Sequence, residues 1–188
     1  LSEIEKAIIL LYLDEKSYNE IGEIIGISKN NVGVKISRIK EKIKYTLKNK
    51  RIIPVGTTSL RTIESLYWLG SKIKQNPAIN PDNLTINQWE SYNQDVSLSR
   101  NEIIEILLEF MDKNGKNKIE ASTEIMIIPG YKFRMTDGLI TNYHQPHSTL
   151  LLLIAAFVGS DWKMIYQYSL ENDFRFLSYG DSSLLLPE

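Results

Sequence analysis

The sequence predicts a mixed, α+β fold: an all-α helix-turn-helix module over residues 1–50, then a partial α/β domain with a β meander over residues 51–188. Three observations predict it. Apolar residues recur at helical spacing in capped segments through the first fifty positions. From Arg51 onward, short β-branched runs alternate with amphipathic segments. The charge divides at the same place, with ten Lys/Arg against seven Asp/Glu in residues 1–50 and twelve against sixteen in residues 51–188.

Each element follows from local chemistry. Ser2-Glu3-Ile4-Glu5 is a capping box, because Ser2 can accept from the amide three residues on while Glu5 reaches back to the Ser2 amide. Ile4, Ala7, Ile8 and Leu11 follow on one helical face. Ser17-Tyr18-Asn19-Glu20 repeats the box, with Ile21, Ile24 and Ile25 as the apolar face and Gly26 as the stop. After the turn Gly26-Ile27-Ser28, Ser28 caps a third helix with apolar positions Val32, Ile36, Ile39, Ile43 and Leu47. Residues 1–28 sum to −4 and residues 29–50 to +7, so a basic helix lies on an acidic support. Two short helices with such a turn and a basic second helix form a helix-turn-helix, whose recognition helix enters the major groove by its N-terminal residues. Lys29, Asn30, Asn31, Lys35 and Arg38 are the candidate DNA-binding side chains, since Asn pairs with adenine and Arg or Lys with guanine or phosphate. The alternative is an exposed lysine-rich helix of a bundle.

In the second part, Arg51 to Val55 reads as a short strand and Gly56-Thr57-Thr58-Ser59 as a hydroxyl-rich loop. That loop opens a helix from Leu60 to Leu69, with Gly70 as its end. Residues 71–98, rich in Asn, Pro and Ser, read as a loop or insertion anchored by Trp89 and Tyr92. Ser99-Arg100-Asn101-Glu102 is a third capping box, starting a helix to about Asp112, and Asn114-Gly115 turns the chain. Ile125–Ile128, Tyr131–Met135 and Leu139–Asn142 read as three strands of a local meander. Both histidines then fall in the polar loop Asn142 to Thr149, before a helix from Thr149 to Phe157 and another from Asp161 to Leu170. No third ligand has metal-site spacing beside the two histidines.

Composition bounds the rest. The chain has no cysteine, which removes a disulfide scaffold, a thiolate metal site and a cysteine nucleophile, and fits a reducing, cytoplasmic compartment. The most apolar run, Leu150 to Val158, is about half the ~20 residues of a spanning helix, so it is expected as a buried core helix and no membrane association is expected. A first residue of leucine suggests a fragment of something longer.

Two stretches carry family resemblances. Leu1-Ser2-Glu3-Ile4-Glu5-Lys6, Ser17 to Ser28, Asn31-Val32 and Arg38 resemble region four of bacterial sigma factors of the extracytoplasmic-function type. That resemblance implies promoter DNA and core RNA polymerase as partners. Gly22, where that family usually has alanine, and Gly33 within the recognition helix depart from the pattern, and the family's region two has no counterpart.

Val55 to Ser65, Pro129 to Phe133 with Asp137 to Leu150, and Arg175 to Asp181 resemble the S-adenosylmethionine:tRNA ribosyltransferase-isomerase of queuosine biosynthesis, in its C-terminal part, across residues 51–186. The segment at about 71–123 is then an insertion. The resemblance implies transfer and isomerisation of the ribosyl group of S-adenosylmethionine onto a 7-aminomethyl-7-deazaguanine in tRNA, with S-adenosylmethionine as substrate and no metal. Such chemistry needs a base for the proton beside the sulfonium, a proton donor for departing adenine, and contacts that hold the sugar. His144 and Asp181 are the acid/base candidates and Glu64 a weaker one. Thr57, Thr58, Ser59 and Arg61 are assigned to the nucleoside or a phosphate, and Asn142, Ser148, Thr149, Arg175 and Tyr179 to the remaining substrate surface. Activity is expected to be impaired without the family's N-terminal part. A third reading is a chance fusion in which neither function survives.

Overall fold

In a computed structural model, residues 1–93, 96–145 and 147–187 are described, and the chain divides into two compact units, Leu1–Lys50 and Arg51–Glu188. The mixed fold class holds.

The first unit is three helices, α1 (Glu3–Leu13), α2 (Tyr18–Ile25) and α3 (Lys29–Asn49). Both expected capping boxes form, with Ser2 and Ser17 accepting from Glu5 and Glu20. Gly26 ends α2 at φ 76°, a left-handed conformation that costs an L-residue and not glycine. The core is Ile8, Ile21, Val32, Ile36 and Ile39. Ile4, Ile24 and Ile43, expected on the inner faces, are exposed instead, because three short helices close only one small core and α3 extends past it. Lys42 bonds Glu5 at 2.6 Å, and Lys40 donates to the Tyr12 hydroxyl at 3.0 Å, so α1 is tied to the middle of α3. The Glu5 carboxyl is thereby held down to about 2, first by the Lys42 hydrogen bond.

The second unit contains α4 (Thr57–Gln75), β1 (Leu84–Ile86), a 3-10 turn (Glu90–Tyr92), α5 (Arg100–Lys113), β2 (Ala121–Thr123) and β3 (Leu139–Asn142). It continues with α6 (Thr149–Val158), a 3-10 turn (Gly159–Asp161), α7 (Trp162–Glu171) and β4 (Ser182–Leu185). Two readings of α4 are corrected. The hydroxyl-rich loop is its first turn, and Gly70 does not end it but lies inside it. A Cβ at Gly70 would stand 2.9 Å from Ile103 Cγ2, so glycine there serves the packing of α4 on α5.

The local meander is corrected as well. β3 pairs antiparallel with β4, and Leu84–Ile86 pairs in parallel with Ala121–Thr123. Residues 125–128 are not a strand of a hairpin; the chain there follows 86–88, with Glu124 donating to the Ile86 carbonyl and Met126 to that of Gln88. Residues 131–135 form no strand either: the Tyr131 amide donates to the Ile128 carbonyl in a turn, and those of Arg134 and Met135 are recruited by a buried carboxylate described below. The expected strand 51–55 is an extended segment joined to β3 by one parallel bridge, Val55 to Ile140. The loop expected over 71–98 instead carries the end of α4, β1 and the 3-10 turn.

α6 buries Leu153, Ile154 and Phe157 but exposes Leu152, so it is covered on one side only rather than being a fully buried core helix. The stretch Thr149–Glu171 is long and apolar enough, by length and composition, to cross a membrane. Its two helices are separated by Gly159, at φ 60°, and the 3-10 turn.

Candidate active site

Three segments distant in sequence meet at one end of a short sheet. Segment 52–56 lies along β3: Ile140 donates to the Pro54 carbonyl at 2.9 Å, and Gly56 donates to that of Ile140 at 2.7 Å. Being parallel to β3, it delivers Gly56 and the start of α4 to the side where β3 ends at Asn142. β4 lies on the other flank of β3 and pairs Ser182 with Asn142, so the residues before Ser182 reach the same end from the opposite direction.

The first turn of α4 presents Thr57, Thr58 and Ser59. Gly56, the residue before it, has φ 89° and provides no side-chain cap, leaving those first amides to an incoming acceptor, at the positive end of a nineteen-residue helix.

The second segment holds His144. Its Nε2 lies 3.1 Å from Thr141 Oγ1, and its backbone N–H donates to the Tyr166 hydroxyl at 3.0 Å. Partial burial depresses the imidazole's proton affinity below the ordinary histidine value. Thr141 and Tyr166 were not singled out from sequence. Thr141 lay three residues from His144, a findable local signal, whereas Tyr166 comes from α7 and is brought in by aromatic packing. The Tyr143 ring contacts Tyr166, Phe174 and Phe176 with centroids 5.5, 5.5 and 5.6 Å away. Ser148 caps α6, accepting from Leu150 at 3.2 Å, with Thr149 the first helical residue.

The third segment is a loop closed on itself. Arg175 donates its N–H to Asp181 Oδ2 at 2.7 Å, and Asp181 donates its own to the Arg175 carbonyl at 2.8 Å. The Arg175 guanidinium lies 3.6 Å from the other carboxylate oxygen. These contacts, the Arg175 amide first, hold the Asp181 carboxyl below its usual range. A Cβ on Gly180 would overlap the Arg175 carbonyl, so only glycine fits that corner. Leu177 sits at φ 71°, fastened by donation of its N–H to the Tyr143 carbonyl. Asn142 Nδ2 donates to the Gly180 carbonyl at 3.2 Å and lies 3.3 Å from Ser182 Oγ, so this side chain splints the loop to β3. Tyr179 is 98% exposed at the tip.

Two of the expected residues stand elsewhere. Arg61 donates through Nε and Nη2 to the Ile125 carbonyl, at 3.0 and 2.6 Å, a structural clamp. Glu64 is fully buried, and its carboxylate accepts from Tyr131 Oη, the amides of Arg134, Met135 and Thr136, and Thr136 Oγ1. That many donors on one carboxylate make it a clasp for residues 131–136. Trp68 completes the cluster by donating to Tyr131 Oη at 2.8 Å.

A half-buried imidazole with lowered proton affinity and a carboxylate kept ionised, at the end of one sheet, are groups of separated acidity, suited to different proton-transfer roles. Among the described residues no group of three or more His, Asp or Glu is placed to hold a metal ion.

In the first unit, Asn30, Asn31, Val34, Lys35 and Arg38 fall within one outward face of α3, opposite Val32, Ile36 and Ile39, by the ~100° step per residue. Lys29 falls on the other side of the helix. Lys29, Lys35 and Arg38 have no hydrogen-bond or ion-pair partner among the described residues, unlike Lys40 and Lys42.

The family profile described as "Queuosine biosynthesis protein" matches residues 27–185. A profile for sigma-70, region 4, matches residues 1–43, so the two overlap on the recognition helix. Among relatives, the S-adenosylmethionine:tRNA ribosyltransferase-isomerase of Cereibacter sphaeroides is 38% identical over 138 residues, covering 73% of this chain and 27% of the relative. That of Dinoroseobacter shibae is 36% identical, covering 74% and 28%. The Zymomonas mobilis protein of the same name is 54% identical over a shorter stretch of 68 residues, 35% of this chain and 20% of the relative. The chain thus spans about a quarter of the length of the longer-matching relatives. A crystal structure of S-adenosylmethionine tRNA ribosyltransferase from Thermotoga maritima aligns with TM-score 0.41 and 26% identity over 83% of this chain and 38% of that one.

Proposed function

The chain belongs to the family of queuosine biosynthesis proteins, and we propose that residues 51–188 supply part of the site of an S-adenosylmethionine:tRNA ribosyltransferase-isomerase. The observation that carries this reading is the meeting of the α4 start, the His144 loop and the Arg175–Asp181 loop at one end of the sheet. In it, the ribosyl group of S-adenosylmethionine is transferred to the aminomethyl group of a 7-deazaguanine in tRNA and rearranged, with release of adenine and methionine. His144, neutral near pH 7, takes the proton beside the sulfonium and, as the imidazolium so formed, gives a proton to the departing adenine, while the ionised Asp181 accepts the proton that the attacking aminomethyl nitrogen loses. The free amides and hydroxyls at Thr57, Thr58 and Ser59 hold a phosphate or the sugar. Ser148, Thr149, Arg175 and Tyr179 line the approach, Asn142 holds the loop in place, and Glu64 is reassigned from acid/base candidate to positioning the 131–136 segment. Residues 71–123 are an insertion in this reading, and a tRNA substrate places the protein in the cytoplasm.

The test uses a chimera in which Arg51–Glu188 replaces the matched segment of the Cereibacter relative, incubated with S-adenosylmethionine and substrate tRNA. Nucleoside mass spectrometry is expected to show the epoxycyclopentanediol product and stoichiometric adenine. His144→Ala or Asp181→Ala is expected to lower turnover by about a hundredfold or more; unchanged turnover in both would remove their roles.

A second reading is favoured by the unpaired Lys35 and Arg38 on one face of α3: Leu1–Lys50 binds promoter DNA and contacts core RNA polymerase. A salt-dependent mobility shift of promoter DNA tests it. A chain that gives neither the nucleoside product nor a shift is a non-functional fusion.

A further inference from the structure

The segment that Glu64 clasps carries two cations that the fold leaves without an anion. Lys132 and Arg134 are the only charged side chains in residues 129–136. Lys132 is exposed and has no hydrogen-bond or ion-pair partner among the described residues. Arg134 is partly exposed; its guanidinium lies over the Tyr67 ring, 5.5 Å from the centroid, and its Nε is buried without an acceptor. The Tyr67 hydroxyl is fixed in turn, lying 3.0 Å from the Val96 carbonyl oxygen and accepting from the Leu98 amide at 3.1 Å. The Arg134 amide donates to Glu64 at 3.0 Å, so backbone and guanidinium are both placed in advance. A buried donor on a permanently charged group is costly unless a ligand brings the acceptor, and a planar guanidinium suits a phosphate. Next to these cations, Tyr131 of the same segment contacts Tyr92, and Tyr92 contacts Trp89, with ring centroids 6.1 and 5.9 Å apart. Trp89 is 48% exposed and Tyr92 38%. The Tyr92 hydroxyl accepts from the Ile128 amide and donates to the Met126 carbonyl, which pins its ring to the chain there. Glu90, between the two rings in sequence, is neutralised by Lys72 at 3.0 Å.

We propose that Lys132, Arg134, Trp89 and Tyr92 grip a single-stranded stretch of the tRNA beside the base that reacts. Arg134 and Lys132 each hold a backbone phosphate, and Trp89, backed by Tyr92, stacks an unpaired base. Cations set among exposed rings match single-stranded RNA, because phosphates recur along the strand and every unstacked base has an open face. The occupant is argued from charge: both cations of the segment lack an anion, and the substrate proposed above is a polyanion. Position agrees with it. Glu64 stands seven residues after Thr57, about 10 Å along α4, so the segment it holds is two turns from the end where the candidate active site lies. That spacing suits nucleotides flanking the reacting one and not the reacting one itself. Trp89 and Tyr92 belong to the segment read above as an insertion, which thereby gains a role in holding RNA. The inference rests on the reading of tRNA as the substrate.

The experiment is fluorescence anisotropy of the 188-residue chain with a labelled, unstructured RNA oligonucleotide and with a fully paired RNA duplex of the same length, each across a salt series. Trp89→Leu is expected to weaken single-strand binding at least about fivefold, because a paired base offers no such open face and an unpaired one does. The slope of log affinity against log salt and the binding of the duplex stay as they were. Lys132→Ala and Arg134→Gln are each expected to reduce that slope by about 0.7 for the single strand, the contribution of one phosphate. Lys132 and Trp89 are exposed, so their substitutions test the surface without touching the core, and the thermal midpoint checks that Arg134→Gln is folded. Unchanged single-strand affinity in Trp89→Leu, or an unchanged slope in either cation variant, overturns the proposal. So does an Arg134→Gln chain that loses S-adenosylmethionine binding in equilibrium dialysis and keeps its RNA slope, since the anion would then be the methionine carboxylate. A dimer in sedimentation that Trp89→Leu dissolves would instead give the rings to a second copy of the chain. None of these readouts involves turnover. In the chimera described above, product formation with a KM for tRNA that Trp89→Leu leaves unchanged counts against this surface alone. RNA binding with these dependences in a chimera that forms no product counts against the catalytic assignment alone.

Discussion

At Glu64 the physical argument decides between catalysis and structure. A carboxylate with no solvent exposure that accepts from five donors has no lone pair directed at a substrate. Glu64→Gln replaces one acceptor oxygen by an NH₂ group facing donors, among which the Arg134, Met135 and Thr136 amides cannot turn. Urea unfolding is expected to show a loss of about 3 kcal/mol in the Arg51–Glu188 unit, with the midpoint lowered and the slope kept; a loss under about 0.5 kcal/mol would mean the clasp is unimportant. His144 makes the opposite kind of prediction. Burial lowers its folded proton affinity, so between the folded value and the ordinary one near 6.5 the unfolded chain binds more protons and stability rises with pH. Acidification from about pH 7 downward should therefore lower the thermal midpoint, and His144→Gln should remove that part of the slope. A midpoint that rises on acidification, and does so only when His144 is present, would reverse the assigned sign.

At the scale of elements, the helix starts were legible and the pairings were not. Ser2, Ser17 and Ser99 announce their helices because a capping box is complete within four residues. Gly70 misled because the reason for a glycine there, Ile103 on another helix, is nowhere near it in sequence. The partner of β3 was illegible for the same reason, since β4 follows only after two further helices. The donors to Glu64 were also hidden: backbone amides carry no sequence signature, and a residue run that looks like a strand loses its ladder when a carboxylate takes its N–H groups. Asp181 was proposed for the site through resemblance and His144 through resemblance and its place in a polar loop, while the sheet end that they share is a product of topology. Two glycines provide a paired test at this scale. In α3, a Cβ on Gly33 meets the Tyr18 ring at 3.5 Å, ordinary contact, so Gly33→Ala is expected to stabilise the Leu1–Lys50 unit by about 0.5–1 kcal/mol. Gly180→Ala overlaps the Arg175 carbonyl and is expected to open the Arg175–Asp181 loop, seen as faster exchange of the Leu177 amide.

For the whole molecule, the issue is whether two resemblances on one chain correspond to two activities. The charge division places the unpaired cations, Lys35 and Arg38, in Leu1–Lys50, and the proton-transfer candidates, His144 and Asp181, in Arg51–Glu188. The substrate proposed for the second unit is itself a polyanion, so the cations Lys35 and Arg38 on the first unit have an alternative use: they would raise the affinity for tRNA by counterion release without reading any promoter. The two uses differ in what a substitution does. If α3 reads DNA, the Lys35→Ala, Arg38→Ala double variant weakens binding to a promoter duplex far more than binding to tRNA, and the slope of log affinity against log salt for the duplex falls by up to about two. If α3 is only an electrostatic arm for tRNA, the same double variant weakens both nucleic acids alike and raises the KM for tRNA in a complete enzyme carrying this chain, with kcat unchanged. His144→Ala should do the reverse, lowering kcat and leaving duplex binding as it was. Filter binding of the double variant to duplex and tRNA across a salt series distinguishes the two, and parallel slopes for the two ligands would assign the first unit to the tRNA and away from the promoter.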